Sequence, residues 1–351
     1  MQENNTSQAR KNLIGIFTIT LSIGVLLFLL LSENGIRNLR RVLFHLKPVW
    51  LLWIGVGVLA GWLLESYVIH LFCKHLDRKW TFGQSFYVGM LGLFYSALTP
   101  FCMGEPMEVY NMTKMGMDTG TATSIIAVKS LVHHAVTFVY AFLLVSFELS
   151  YFQANVSNFA FLTIFGLITN SIFIFMVVLF MINEKLTNGI LLAVVRLLIK
   201  LRLQKLADRF YASVHSQLEN FHESSKIIGK SYKLYISAVF LTLIQITFAS
   251  LISYFVYRSF NLHGESVFTM VAADTFVVMV ASFIPLPGSS GGAEGAFYLF
   301  FHDFFGASII PAITLWRIAT CYINLLFGFL VTIIGRRKYR ANKRELTGAN
   351  R

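Results

Sequence analysis

Charge is scarce in this chain. Asp, Glu, Lys and Arg make up 13% of its 351 residues, where soluble domains carry roughly 25%. Acid is scarcer still, 17 residues against 29 basic ones, for a net charge of +12. That balance excludes an ordinary soluble domain and an acidic disordered chain. Cysteine is nearly absent, and Cys73, Cys102 and Cys321 lie far apart, which excludes a disulfide framework and the spacing of a metal site. Proline is rare too, but four of the six prolines, Pro100, Pro106, Pro285 and Pro287, fall in two short stretches.

What is abundant is hydrocarbon. The chain is 56% hydrophobic with 34 phenylalanines, and its mean hydropathy is +0.65. Uncharged runs such as 13–31, 159–182 and 318–334 approach or exceed the roughly 20 residues that span a bilayer. The fold expected is an all-α integral membrane protein, a polytopic helical bundle. The run 13–31 follows Arg10 and Lys11 as a signal peptide would, but it is too long for one and leads into polar Ser32-Glu33-Asn34. It reads as a retained first span.

The apolar segments are 13–31, 49–72, 82–100, 121–147, 159–182, 234–257, 266–286, 293–305 and 308–334. Basic residues crowd the interval 183–233 and the tail 336–351, so both are expected in the cytoplasm. Residues 150–160 hold no base and 258–265 only Arg258, and both read as external. With 1–12 inside, 13–182 forms a first transmembrane half and 234–335 a second. Each half then needs a hairpin, 82–118 and 266–305, that enters and leaves on one side, from the cytoplasm in the first and from outside in the second. The expectation is two inverted-topology halves, each with a Pro/Gly-broken hairpin, either re-entrant or made of two spans that turn at the Pro/Gly motif. The stretch 33–47, with Arg37, Arg40, Arg41 and Lys47, is basic where this scheme puts it outside; it reads as an interfacial amphipathic segment. Within 183–233, Leu206, Phe210, Val214 and Leu218 recur every four residues, the period of an amphipathic helix lying on the membrane or capping the bundle. A plain connector is the alternative.

The two breaks are "ALTPFCMGEPMEVY" (97–110) and "FIPLPGSSGGAEGAF" (283–297). Each runs Pro, Gly, Glu: Pro100, Gly104, Glu105, and Pro287, Gly292, Glu294. Broken backbone at membrane depth persists only when it is buried in protein or lines a wet cavity. Paired breaks of this kind mark transporter binding sites. Gly288, Gly291, Gly292 and Gly295 would let a ligand approach the backbone. A kink with a capping glutamate is the bland alternative. Lys129 and Arg317 stand in apolar runs, where a lone charge costs about 2.5–3.5 kcal/mol. Glu105 and Glu108 are the expected partners of Lys129; Glu294 or Asp274 is expected for Arg317, unless Arg317 snorkels to the interface. Glu65 and His70 are expected to reach headgroups, and His133 and His134 to pack and hydrogen-bond. No nucleotide-binding, serine-hydrolase or zinc motif is present, so no catalytic residue, metal or cofactor is expected.

"PLPGSSGGAEGAF" with "LWRIATCYINLLFG" (315–328), and "SALTPFCMGEPMEVYNMTKMGMDTGTATSIIAVKSLV" (96–132), resemble the two signatures of the lysylphosphatidylglycerol synthase transmembrane family, which includes the flippase half of the bacterial multiple peptide resistance factor. The likeness covers roughly residues 10–335. The chain departs from it where many members carry arginine: Phe101, Cys102, Met103 and Glu108 stand there instead. The resemblance implies a bacterial plasma-membrane lipid translocase, moving a phospholipid such as aminoacylated phosphatidylglycerol, or another lipid headgroup, between leaflets. Its path would be lined by Glu294, Gly288, Gly291, Gly292, Gly295, Pro287, Arg317, Pro100, Gly104, Glu105 and Glu108, with Lys129 balancing charge. Two alternatives stand: a lysyltransferase-type enzyme working with a separate soluble synthetase, since no stretch of this chain reads as the soluble transferase domain, and a membrane scaffold without transport. The partners expected are membrane phospholipids, anionic headgroups at the basic loops, and a soluble synthetase or other membrane protein, but no nucleic acid.

Overall fold

The computed structural model describes residues 46–99, 104–155, 159–200, 204–282, 284 and 286–348. The expected first span 13–31, the basic stretch 33–45 and Pro100 lie outside the described residues.

Twelve α-helices, and no strand, make up the described residues: α1 Pro48–Leu76, α2 Phe82–Leu98, α3 Glu105–Lys114, α4 Thr119–Asn155, α5 Phe159–Ile182, α6 Glu184–Lys200, α7 Gln204–Gly229, α8 Tyr232–Ser259, α9 Val267–Ala281, α10 Gly292–Phe305, α11 Ile309–Arg317 and α12 Ile323–Gly348. A five-residue π-helical turn, Ile318–Tyr322, joins the last two. Four helical stretches, Pro48–Leu76, Thr119–Leu144, Tyr232–Ser259 and Pro287–Gly335, are long and apolar enough to cross a membrane, and α5 with α6 gives a fifth if that bent pair is one span. Ile164, Ile168, Ile172 and Phe175 form an exposed stripe along α5. Water would not tolerate such a stripe; lipid does. The protein is a multi-pass, all-helical membrane protein.

Local chemistry sets the helix ends. Thr81 and Gln84 form a reciprocal capping box at the start of α2, satisfying donors that hydrocarbon could not. The Gly120 and Thr121 amides donate to Asp118 Oδ1 at 2.8 and 3.2 Å at the start of α4. The Ser266 hydroxyl accepts from the Thr269 amide at 3.0 Å at the start of α9.

The buried apolar residues form two cores. One gathers Ile69, Phe72 and Cys73 of α1, Met112 of α3, Ile125 of α4 and Leu234 of α8. The other gathers Ile54 and Val58 of α1, Phe152 of α4, Val256 of α8, and residues of α9, α10 and α11. The first core thus holds α3, and the second holds α9, α10 and α11, while α2 contributes Val88 to the first and Met90 to the second. Phe305, last in α10, packs edge-on at 5.5 Å against Tyr257, near the end of α8, so the second hairpin returns to the end where α8 delivered it. At 1.5 Å per residue, the 15 residues of α9 and 14 of α10 reach only about 22 and 21 Å, short of the ~30 Å hydrocarbon core. Taken singly, each is too short to cross, although α10 also belongs to the longer apolar stretch Pro287–Gly335. Much of the phenylalanine sits here: Phe276 stacks on Phe300 at 5.5 Å and Phe297 on Phe301 at 4.3 Å.

Three boundaries differ from expectation. α4 runs to Asn155 and α12 to Gly348, because helical residues continue past the apolar windows. The interval 183–233 holds two helices where one was read: α6 turns 91° from α5. Its leucines were masked by Lys185, Arg196 and Lys200. α7 is the amphipathic helix, and it caps the bundle. Ser225 bonds Ser124 at 2.8 Å, Ser224 donates to Thr121 at 3.1 Å, and the Gly120 amide also donates to Gln217 at 2.8 Å.

Candidate functional site: two buried ion clusters at the hairpin breaks

The second break is a short 3-10 turn, Pro287–Ser289. It reverses through Gly288 at φ 57° and Gly291 at φ 82°, a region side-chain-bearing residues avoid. Ser289 shares the strained region at φ 52°. α10 starts beyond it, and Glu294 in its first turn reaches back to accept the Gly291 amide at 2.7 Å. The same carboxylate takes a fork from Arg317: Nε donates to Oε1 at 2.7 Å and Nη2 to Oε2 at 2.8 Å. Arg317 also donates to the carbonyls of Gly288 at 3.1 Å and Ser289 at 3.3 Å. Both side chains are about 95% buried. The arginine thus ties the break to α11 and satisfies carbonyls that no helix pairs. It does not snorkel.

The first break ends at α3, whose first turn carries Glu105 and Glu108. Lys129 of α4 donates at 2.7 Å to Glu108 and at 2.7 Å to Glu65 of α1. Gln245 of α8 donates to the other Glu65 oxygen at 2.7 Å. Glu105 does not pair with Lys129 as expected; it accepts from Ser130. Nor does Glu65 reach the headgroups. It sits deep enough to share the lysine. Space for Glu108 comes from Gly92 of α2, where an added Cβ would lie 2.1 Å from Oε1. Gly104 fits against the Gly92 carbonyl just as closely, 2.1 Å from where its own Cβ would be.

The last turns of α2 separate the two clusters. A Cβ on Gly288 would come within 2.9 Å of the Ala97 carbonyl, and Ala97 is five residues beyond Gly92. At 1.5 Å per residue that is about 7 Å along the helix. Here the second break packs against the C-terminal end of α2. More polar groups line the same interior. Trp62, three residues before Glu65, donates its indole N–H to Asn324 at 2.7 Å, just beyond the π-helical turn, an irregularity common at functional sites. Asp274 accepts from Ser253 in the second core. His134 faces Asn170 at 2.8 Å and is held as a packed, bonded histidine.

Of the glycines expected at the site, Gly288 and Gly292 are closely packed, Gly292 with Ile284 2.2 Å from an added Cβ, while Gly291 and Gly295 have nothing within 4 Å. Sequence reasoning missed Glu65 and Gln245 as members. The signal was there: each is a lone polar residue within an apolar span, which is costly unless partnered.

Residues 13–328 match the family described as the lysylphosphatidylglycerol synthase TM region. The chain belongs to that family. No curated protein matches it. Both signature stretches, both hairpins and all the charged residues of the two clusters lie inside the matched region. The family points to a lipid-related function for a membrane protein. Among the described residues no group of three or more His, Cys, Asp or Glu could hold a metal ion.

Proposed function

We propose that this protein is a lipid translocase of the bacterial plasma membrane, moving a phospholipid or another lipid headgroup between leaflets at the meeting point of two inverted halves. The observation that carries the reading is that each of the two Pro/Gly breaks lies beside a buried ion cluster, Glu108 with Lys129 and Glu294 with Arg317. Hydrocarbon does not tolerate unpaired backbone or charge. A fold that gathers broken backbone and charge in its interior, and pairs them there, suits a polar passenger. The 183–233 region and the C-terminus face the cytoplasm in this reading, as their basic charge favours. Their partners are anionic headgroups. Aminoacylated phosphatidylglycerol, carrying both phosphate and amine, is one substrate that suits a site with both an arginine and carboxylates.

The test is lipid movement in vesicles holding the purified protein. Fluorescent headgroup analogues of several classes are quenched from outside. The expected result is that protein-containing vesicles expose inner-leaflet label of at least one class while protein-free vesicles keep about half protected. Protection equal to that of empty vesicles for every headgroup would overturn the reading.

A further inference from the structure

The two ion clusters differ in their charge count. Arg317 and Glu294 match one to one, and each oxygen of that glutamate has a guanidinium donor. At the first break two carboxylates, Glu65 and Glu108, share the single ammonium of Lys129, each at 2.7 Å. Glu65 has both oxygens engaged, by Lys129 and by Gln245. Glu108 receives Lys129 on Oε2, and its Oε1 lies over the Cα of Gly92. Glu108 is the more buried carboxylate, its side chain 4% exposed against 13% for Glu65.

Among the described residues, the surroundings add no second Lys or Arg. From α3 comes Glu105, another carboxylate. From α1 comes Cys73 as well as Glu65. From α4 comes His133 beside Lys129. From α8 comes Gln245, uncharged. The α2 wall at this point is glycine. With every carboxylate ionised the cluster would bury a net negative charge in hydrocarbon, which a protein avoids by taking up a cation or a proton. Of the four oxygens of Glu65 and Glu108, Glu108 Oε1 is the one to which neither Lys129 nor Gln245 donates.

We propose that the Glu65–Lys129–Glu108 cluster binds one exchangeable proton and that Glu108 Oε1 carries it. The carboxylate takes the proton from water and becomes a neutral acid; Oε2 keeps its bond from Lys129. The cluster is then balanced, Glu65 against Lys129. Releasing the proton restores the buried negative charge, so loading and unloading change the electrostatics beside the first break. Use of that change to drive lipid across the membrane rests on the translocase reading; the binding of the proton does not.

Infrared difference spectroscopy of the full chain in vesicles, stepped from about pH 9 to about pH 4, a range that brackets the ordinary values of histidine and glutamate, tests this. The carbonyl band of a protonated carboxylic acid should grow as pH falls, vanish in Glu108→Gln, and persist in Glu105→Gln and His133→Asn. Glu65→Gln, which makes the count one to one, should move the band's midpoint to lower pH by about one unit or more, because removing a neighbouring negative charge favours ionised Glu108. A wild-type spectrum with no band that Glu108→Gln removes, or a midpoint unmoved by Glu65→Gln, overturns the proposal. The band in a protein that moves no lipid would leave the proton site standing and retire the translocase reading.

Discussion

Arg317 and Glu294 meet through two parallel hydrogen bonds, Nε to Oε1 at 2.7 Å and Nη2 to Oε2 at 2.8 Å, and the same glutamate accepts the Gly291 amide. One carboxylate thus holds a helix start and a buried cation together. Removing it strands both. Glu294→Ala should lower stability by about 3–5 kcal/mol, the usual cost of breaking a buried pair from one side. The double variant Glu294→Leu/Arg317→Met should recover only part of that, because the Gly288 and Ser289 carbonyls still lose their donor. Unfolding midpoints in one fixed detergent check both. Full recovery in the double variant would mean that the carbonyl bonds contribute little.

The glycines near the breaks separate into two kinds. Gly104→Ala places a methyl 2.1 Å from the Gly92 carbonyl oxygen, and Gly288→Ala combines φ 57° with a 2.9 Å approach to Ala97. Backbone cannot yield cheaply at either point, and each should cost at least ~1–3 kcal/mol. Gly295 lies within α10 with open space where its Cβ would be. Gly295→Ala should therefore be neutral or stabilising by about 0.5–1 kcal/mol. Thermal melts of the three variants should rank in that order.

Lys129 and Glu108 should respond unequally to neutralisation. Lys129→Met leaves two buried carboxylates without a cation, and a loss of about 3–5 kcal/mol is expected. Glu108→Gln keeps the Glu65–Lys129 pair and removes the surplus negative charge, so its cost should stay within about 1 kcal/mol. Melting both variants beside wild type decides the point; an equal loss would mean that the cluster needs both carboxylates ionised.

The cap formed by α7 depends on one close approach. A Cβ on Gly120 would sit 2.1 Å from the Gln217 carbonyl oxygen, so Gly120→Val should push α7 away from α4 and break the Ser124–Ser225 bond at 2.8 Å. Amide exchange in 204–229 should speed up by at least tenfold while the central helices stay protected. Unchanged exchange would mean that the seam tolerates the shift.

Much of this was legible beforehand because hydrocarbon is an unforgiving solvent. The breaks announced themselves through Pro100, Pro287 and the glycines, and charge in apolar runs pointed to Lys129 with Glu108 and Arg317 with Glu294. What was not legible was long-range. Glu65 and Gln245 are 180 residues apart, and no local spacing says that Gln245 donates to the glutamate that shares Lys129 with Glu108. The turn into α6 escaped because Asn183 caps it, its side chain accepting from the Leu186 amide at 3.0 Å, within a run whose charge count reads as loop. Glu105 was assigned the wrong partner: Lys129 and Ser130 are adjacent in sequence, and only packing decides which of them faces which carboxylate.

The central claim is that the meeting of the two breaks is a path for lipid headgroups. The most direct test compares wild type with Glu294→Gln in the vesicle quenching assay, after matched helical content shows that the variant has folded. The account predicts that wild type exposes inner-leaflet lipid and that the variant slows this by at least about tenfold, as expected when a charge at the break is lost. A folded variant that moves lipid at the wild-type rate would contradict it.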